Sequence, residues 1–300
     1  MNKYSSARIG VAGAAGYAGR ELLRWLGRHP RAAVVAKAGS EGTSEAMADA
    51  QPDFVFLATP PEVSRDWVAG LHAAGSRARV VDLSGAYRFD PEVVYGWPER
   101  NAAAIATAKL VSNPGCYATA ANLALGPLIQ AGVIAPEEIV CDAKSGASGA
   151  GKGPRPDLQF CELEGNCKAY HVYQHRHAPE IARHAGVDEA TFAFTPHLLP
   201  TGRGILATLY VRPATDAAGI AAAYERAYAG APFVRLRGGE LPEMGALAHT
   251  NFCDLGWKLR PDGKQAVIVS CLDNLVKGAA GQAIQNFNLM AGFAETEGLA

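Results

Sequence analysis

Short apolar runs separated by helix-like stretches fill the first 115 residues, and this alternation constrains the fold more than any other feature of the chain. Residues 8–12 (RIGVA), 33–36, 53–58 (DFVFLA), 79–83 (RVVDL) and 109–112 (KLVS) are the strand candidates, and residues 20–27 form the first helical segment. Runs this short, apolar at consecutive positions, belong to strands covered on both faces. That is the pattern of a parallel sheet between helices. From about Tyr117 the pattern changes. A helix at 118–131 leads into strand candidates at 138–144, 191–195, 205–211 and 266–271, with helical segments at 217–229 and 278–290. Long connections between longer strands predict an α+β second domain with a mainly antiparallel sheet. The fold class expected is therefore α/β, a Rossmann-type parallel sheet domain plus that second domain.

Composition sets the function classes. In 300 residues, 49% are hydrophobic and 19% charged, enough to bury a core. Lys plus Arg is 28 against 29 for Asp plus Glu, a net charge of -1 that argues against a nucleic-acid or anionic-membrane partner. No apolar run reaches the ~18 residues a bilayer span requires. Residues 1–8 carry no apolar signal core, and six cysteines without a paired framework read as reduced thiols, so a cytoplasmic location is expected.

The first strand candidate runs into Gly13-Ala14-Ala15-Gly16-Tyr17-Ala18-Gly19, a G-x-x-G-x-x-G turn that opens a helix. Glycines there allow a tight turn and let backbone N–H groups approach a pyrophosphate at the positive helix end. A close strand–helix crossing would use the same residues; position on the first βα unit favours the dinucleotide. The second strand candidate ends without the carboxylate that grips a ribose diol. Lys37 and Ser40 suit a 2′-phosphate better, which favours NADP over NAD, and Glu41 competes only if that strand runs longer.

The segment Val111-Ser112-Asn113-Pro114-Gly115-Cys116-Tyr117 takes an apolar strand end through Asn-Pro-Gly into a cysteine where a helix begins. A helix N-terminus favours a thiolate and can stabilise an oxyanion, whereas a buried cysteine is only a small hydrophobe. Further on, His175-Arg176-His177-Ala178-Pro179-Glu180 places two histidines before a helix. Pro179 suits the first helical position, and Ala178, preceding proline, should be extended. On extended backbone the two imidazoles would point to opposite sides, so only one could serve a given site. Arg88 and Arg203 each lie by a turn after an apolar run, where an arginine can grip a carboxylate or phosphate or simply make a surface ion pair. Cys161, Cys167, His171 and His175 are spaced C-x5-C-x3-H-x3-H, too close for a zinc-finger loop, so no metal is expected. Cys141, Cys253 and Cys271 lie in apolar strand-like runs and read as core.

Together these motifs resemble the N-acetyl-gamma-glutamyl-phosphate reductases of the aspartate-semialdehyde dehydrogenase superfamily. The resemblance rests on GAAGYAG (13–19), DLSGAYR (82–88), YGWPE (95–99), SNPGCY (112–117) and SGASGAGK (145–152). It continues through HRHAPEI (175–181), TPHLLPTGRGI (195–205) and DNLVKGAAGQ (273–282), in the family's order. It implies a Rossmann domain of residues 1–115 rejoined by 275–300, and a catalytic and oligomerisation domain of residues 116–274. It implies NADPH-dependent reduction of N-acetyl-L-glutamyl 5-phosphate in arginine biosynthesis, with Cys116 as nucleophile and His177, by analogy, rather than His175 as acid/base. Ser84, Arg88, Asn113 and Arg203 would hold the substrate's charged groups, while Gly149 and Asn274 would approach the phosphate or nicotinamide. The partners implied are a small acyl phosphate and further copies of the chain, as a homodimer or homotetramer. The rivals are a reductase of a carrier-linked aminoadipyl or glutamyl phosphate, a silent NADP-binding regulator, and a cysteine hydrolase or acyltransferase. The chain departs from the family pattern in a shortened stretch before Asp53, in Ala118 for a proline and in Lys152 for an arginine.

Overall fold

The computed structural model describes residues 4–39 and 41–299, and the chain divides into two compact units, Met1–Gly115 with Ala279–Ala300, and Cys116–Gly278. The first unit begins β1 (Ala7–Ala12), α1 (Tyr17–Leu26), β2 (Ala32–Ala38), α2 (Ser44–Asp49) and β3 (Phe54–Leu57). It continues α3 (Pro61–Ala73), β4 (Arg79–Asp82), β5 (Val94–Tyr95), α4 (Pro98–Thr107) and β6 (Leu110–Ser112). Its strands form one parallel sheet in the order β2-β1-β3-β4-β6-β5. The two-residue β5 escaped the sequence reading because it is too short to leave a pattern.

All four residues of β3 are buried, and their alternation explains why. Val55 and Leu57 join Met47, Trp67, Leu71 and Val80 in the core under α2 and α3. Phe54 and Phe56 point the other way, with ring centroids 4.9 and 5.8 Å from that of Phe287. A strand sandwiched like this must be apolar at every position. Beyond β2 the sheet has no further strand among the described residues, and the only element between β2 and β3 is α2.

The second unit opens with α5 (Cys116–Gln130), followed by β7 (Val140–Gly146), α6 (Phe160–Leu163), β8 (Lys168–Ala169), α7 (His177–Ala185) and β9 (Ala193–Leu199). It closes with β10 (Ile205–Val211), α8 (Ala217–Ala227), β11 (Val234–Gly238), β12 (Cys253–Leu259) and β13 (Ala266–Leu272). The sheet order is β11-β12-β13-β10-β7-β9-β8, antiparallel except for β11 with β12 and β7 with β9. The expected strand at 191–195 runs on through Pro196, which pairs in register with Ala143. A proline inside an apolar run makes a strand look shorter than it is.

Helix α5 is buried from Tyr117 to Leu128. Pro127 lacks the N–H that would bond the carbonyl of Leu123. The hydroxyl of Tyr228 donates to that oxygen at 2.5 Å, and Tyr224 on α8 donates to the carbonyl of Ala124 at 2.6 Å. Two tyrosines thus repair and clamp the interrupted helix. After β13 a π-turn, Val276–Ala280, leads into α9 (Gly281–Ala291), which belongs to the first unit. The expected helix at 278–290 is therefore two pieces. No described helix is long and apolar enough to cross a membrane.

Candidate active site

In the first unit, backbone rather than side chains shapes the glycine turn. Gly13 has φ +77°, and a Cβ there would lie 2.3 Å from the carbonyl oxygen of Ala58. A Cβ on Gly19 would lie 2.2 Å from the carbonyl oxygen of Gly13. The N–H groups of Gly13 and Ala14 donate to Ala38 O at 2.9 and 3.1 Å, tying the turn to the end of β2. Gly16 is the extended N-cap of α1, with no side-chain cap and no acidic residue in the first turn. That leaves the first N–H groups of α1, over Tyr17, Ala18 and Gly19, with neither a side-chain acceptor nor a like-charged neighbour to repel an anion. Ala15 and Tyr17 are exposed beside it. Lys37, exposed, is the penultimate residue of β2, in register with Val11; Ser40 lies outside the described residues.

Ser84, Arg88 and Asn113 are also in this unit, and all three are buried. Ser84 Oγ donates to Asp82 at 2.9 Å and accepts the N–H of Ala86 at 3.0 Å. Burial raises the Asp82 carboxyl above its ordinary range, against the hydrogen bonds from Ser84 and the nearby Arg88 charge. Arg88 donates to the carbonyls of Asn113 (3.1 Å) and Leu83 (3.2 Å). Asn113 accepts from Asn286 at 3.0 Å and donates to Ala279 O at 3.2 Å. These residues were expected to meet substrate. These hydrogen bonds hold the three buried side chains at and beside the turn that precedes Cys116, as buried polar groups require.

In the second unit Cys116 is the first residue of α5 and is half-buried. Tyr117 follows, buried, its hydroxyl donating to His197 O at 3.1 Å and accepting from Tyr170 at 3.3 Å. Burial, then Tyr170, drives the Tyr117 hydroxyl far above its usual range, so it stays protonated. The ring centroids of His175 and His177 lie 5.5 and 6.0 Å from that of Tyr117, which brings the H-R-H motif to the start of α5. Tyr170 packs on His175 at 5.6 Å, and burial raises the pKa of its hydroxyl.

The two histidines do not diverge. Helix α7 starts at His177, two residues before Pro179, and Arg176 is already helical (φ -56°, ψ -18°). Ala178 is therefore helical rather than extended. The cause is a cap: His175 Nδ1 accepts the N–H of His177 at 3.1 Å, and Pro179 falls where a helix's first turn needs no N–H. The rings meet edge-on at 4.8 Å. Accepting at Nδ1 puts the His175 proton on Nε2, and burial first, then the charges of Arg176 and His171, lowers its pKa to about 4. His177 is buried and His175 half-buried.

A second cluster of the same unit joins the remaining candidates. Asn274 accepts the N–H of Gly204 at 2.8 Å and donates to Ser148 at 2.9 Å. Gly149 lies against Ser145 and Asn274, since a Cβ there would be 3.0 Å from Ser145 Oγ and 3.7 Å from Asn274 Nδ2. Arg203 donates to the buried Asp273 at 3.4 Å and keeps 24% of its side chain exposed. Sequence reasoning missed Asp273 and Tyr170. Asp273 heads the D-N-L-V-K run, but nothing local says what it binds. Cys161 and Cys167 are exposed, Cys141, Cys253 and Cys271 are buried, and no metal-binding group of His, Cys, Asp or Glu occurs among the described residues.

Residues 8–108 match the family described as "Semialdehyde dehydrogenase, NAD binding domain", and residues 116–274 match "Semialdehyde dehydrogenase, dimerisation domain". The N-acetyl-gamma-glutamyl-phosphate reductases of Shouchella clausii and Syntrophobacter fumaroxidans are each 40% identical, with 97% of both chains covered. Those alignments run over 337 and 339 positions, so these relatives carry residues that this 300-residue chain lacks. Among solved structures, Vibrio cholerae aspartate semialdehyde dehydrogenase II superposes with a TM-score of 0.75 at 17% identity, covering 96% of this chain and 99% of that one. The Candida albicans aspartate semialdehyde dehydrogenase with NADP gives 0.70 at 16%, covering 95% and 98%. The latter two show the fold, and the former two show the kinship: the chain belongs to the N-acetyl-gamma-glutamyl-phosphate reductase family of the semialdehyde dehydrogenases.

Proposed function

We propose that this chain reduces N-acetyl-L-glutamyl 5-phosphate to N-acetyl-L-glutamate 5-semialdehyde with NADPH, releasing phosphate through a thioester on Cys116, as a step of arginine biosynthesis. The observation that carries this reading is the meeting of two helix starts, Cys116 at the head of α5 and the His175–His177 pair at the head of α7, through Tyr117.

His177 takes the thiol proton, and the Cys116 thiolate attacks the acyl-phosphate carbon, expelling phosphate. N–H groups at the head of α5 stabilise the tetrahedral oxyanion. NADPH, when bound, would supply the hydride that converts the thioester into a thiohemiacetal oxyanion on Cys116. Collapse of that oxyanion to the aldehyde expels the Cys116 thiolate, which the His177 imidazolium reprotonates. Arg203, partly exposed and held by Asp273, receives the substrate's carboxylate or phosphate, and Gly149 and Asn274 line the approach. Gly13, Ala15, Gly16, Tyr17, Ala18 and Gly19 cradle the pyrophosphate at the head of α1, in a turn that Gly13 and Gly19 allow to close against the Ala58 and Gly13 carbonyls. Lys37, exposed at the end of β2, binds the 2′-phosphate, with Ser40 as the second contact that the sequence offers. The first unit serves as the dinucleotide domain and the second as the catalytic and oligomerisation domain, in a cytoplasmic homodimer or homotetramer.

The test is phosphate-dependent reduction of NADP, against NAD, with N-acetylglutamate semialdehyde as substrate. Turnover with NADP that Cys116→Ser abolishes is the expected result. Turnover that survives Cys116→Ser overturns the covalent route, and no turnover with either dinucleotide overturns the activity.

A further inference from the structure

The side chain that organises the second unit's site is one with no exposed surface at all. Asp273, completely buried, follows β13. Its Oδ1 accepts the N–H groups of Leu275 (2.8 Å) and Val276 (3.2 Å). Its Oδ2 accepts the N–H of His249 at 2.7 Å and a guanidinium N–H of Arg203 at 3.4 Å. Its carbonyl accepts the N–H of Gly278 at 2.9 Å, an i−5 bond that belongs to the π-turn over Val276–Ala280. One residue therefore holds an arginine with one end and shapes a wide helical turn with the other.

That turn reaches the cysteine. A Cβ on Gly278 would lie 2.8 Å from Cys116 Cβ and 3.2 Å from its Cα. Real Cβ atoms do not approach so closely, so glycine is what lets the turn pack onto the first residue of α5. π-turns are rare, and where they occur they often mark functional sites. We propose that Asp273 is a positioning residue that sets two reacting groups from one anchor, Arg203 through its carboxylate and Cys116 through the π-turn, with Gly278 as the contact. This rests on the reading of Cys116 as the nucleophile. It adds that the substrate's anchor and the thiol are placed by a common part, so that disturbing Asp273 disturbs both, while disturbing Gly278 disturbs the thiol alone.

Two variants of the full-length enzyme separate these effects. Gly278→Ala pushes on Cys116 without touching Arg203. It should lower kcat about tenfold or more and leave KM for the semialdehyde within about twofold, because a small misplacement of a reacting group costs rate rather than binding. The alkylation rate of Cys116 by iodoacetamide, followed on the Cys116 peptide by mass spectrometry, should change about fivefold or more if the thiol's surroundings shift. Peptide mapping is required because Cys161 and Cys167 are exposed as well. Asp273→Asn replaces one acceptor oxygen by a donor, so either Oδ2's partners or Oδ1's lose their bond. It should raise KM about fivefold or more and also change the Cys116 alkylation rate.

Gly278→Ala with kcat and alkylation both within twofold of the parent would overturn the proposal. So would a folded Asp273→Asn enzyme of lower melting temperature but unchanged KM and alkylation, since a merely structural carboxylate does only that. If Asp273→Asn does not fold, Gly278→Ala alone decides. Alkylation does not depend on turnover, so an active Cys116→Ser enzyme would sink the nucleophile and still leave the geometry of the turn to be read.

Discussion

The two units build their sites from different materials. The turn of the first unit is backbone: glycines whose missing side chains let it close against the Ala58 and Gly13 carbonyls, and N–H groups at a helix start. The site of the second unit is side chains held by other side chains, with Tyr170 on Tyr117, His175 on His177 and Asp273 on Arg203. A backbone site tolerates many neighbours but no added atom. A side-chain site tolerates small changes of volume but no loss of a functional group. Mutations should therefore fail in opposite ways in the two units.

The largest effect is expected from removing a functional group in the second unit. Cys116→Ser should lower kcat by about 10³-fold or more, while thermal unfolding and NADPH binding stay near those of the parent. His177→Asn should follow, with a loss of about 10²–10⁴-fold in kcat, the usual contribution of a general acid–base. Steady-state kinetics with a cofactor titration by fluorescence checks both. A loss of NADPH affinity in either variant would break the contrast, because the side-chain site would then also be building the cofactor cradle.

Adding one carbon to the first unit comes next. Gly19→Ala places a Cβ against the Gly13 carbonyl, at 2.2 Å before any relaxation, and neither partner is a flexible side chain. The turn must open, and the KM for NADPH should rise about tenfold or more, with a stability loss of about 1–3 kcal/mol. The reactivity of Cys116 toward iodoacetamide should not change. An unchanged KM for NADPH would mean that the glycines serve only the strand–helix crossing.

The same contrast explains what could be read in the sequence. Glycine spacing, the Asn-Pro-Gly turn before Cys116 and a histidine pair at a helix start are local signals, and local signals survive in one dimension. Parallel and antiparallel character were legible too, because strands buried on both faces are apolar throughout whereas those of the second sheet alternate. What escaped was set by contacts between distant residues. Gly278 reads as a helix residue until Cys116, far away in sequence, is found against it. Ser84, Arg88 and Asn113 stand out in the sequence as polar residues at turns, but their burial and their partners are not written there. In the fold they are buried, Ser84 bonded to Asp82 and Ala86, Arg88 to the carbonyls of Leu83 and Asn113, and Asn113 to Asn286. The direction of the H-R-H motif was misread for a related reason. The capping bond from His177 N–H to His175 Nδ1 competes with the extended preference imposed by Pro179, and the cap wins.

The smallest effect concerns pH, and each unit carries one histidine through which it acts. His29 in the first unit, bonded to Asn288 at 2.9 Å, and His175 in the second both have their pKa lowered chiefly by burial. For His175 the folded value is about 4 against the usual 6.5. A lowered folded pKa means that the unfolded chain binds the proton more readily, so stability is complete above pH 6.5 and is lost progressively down to about 4. The protonated ring would also turn Nδ1 from acceptor to donor and break its bond to the His177 N–H. His175→Asn keeps an oxygen where Nδ1 accepts and does not titrate. In melts between pH 7 and pH 4 it should remove about 1 kcal/mol of the acid loss, a few degrees in melting temperature. His29→Asn should remove a separate part, and the two should add because they lie in different units. An acid slope unchanged in His175→Asn would show that the neutral ring is not what holds the head of α7, and the side-chain site would lose one of the supports that distinguish it from the backbone turn.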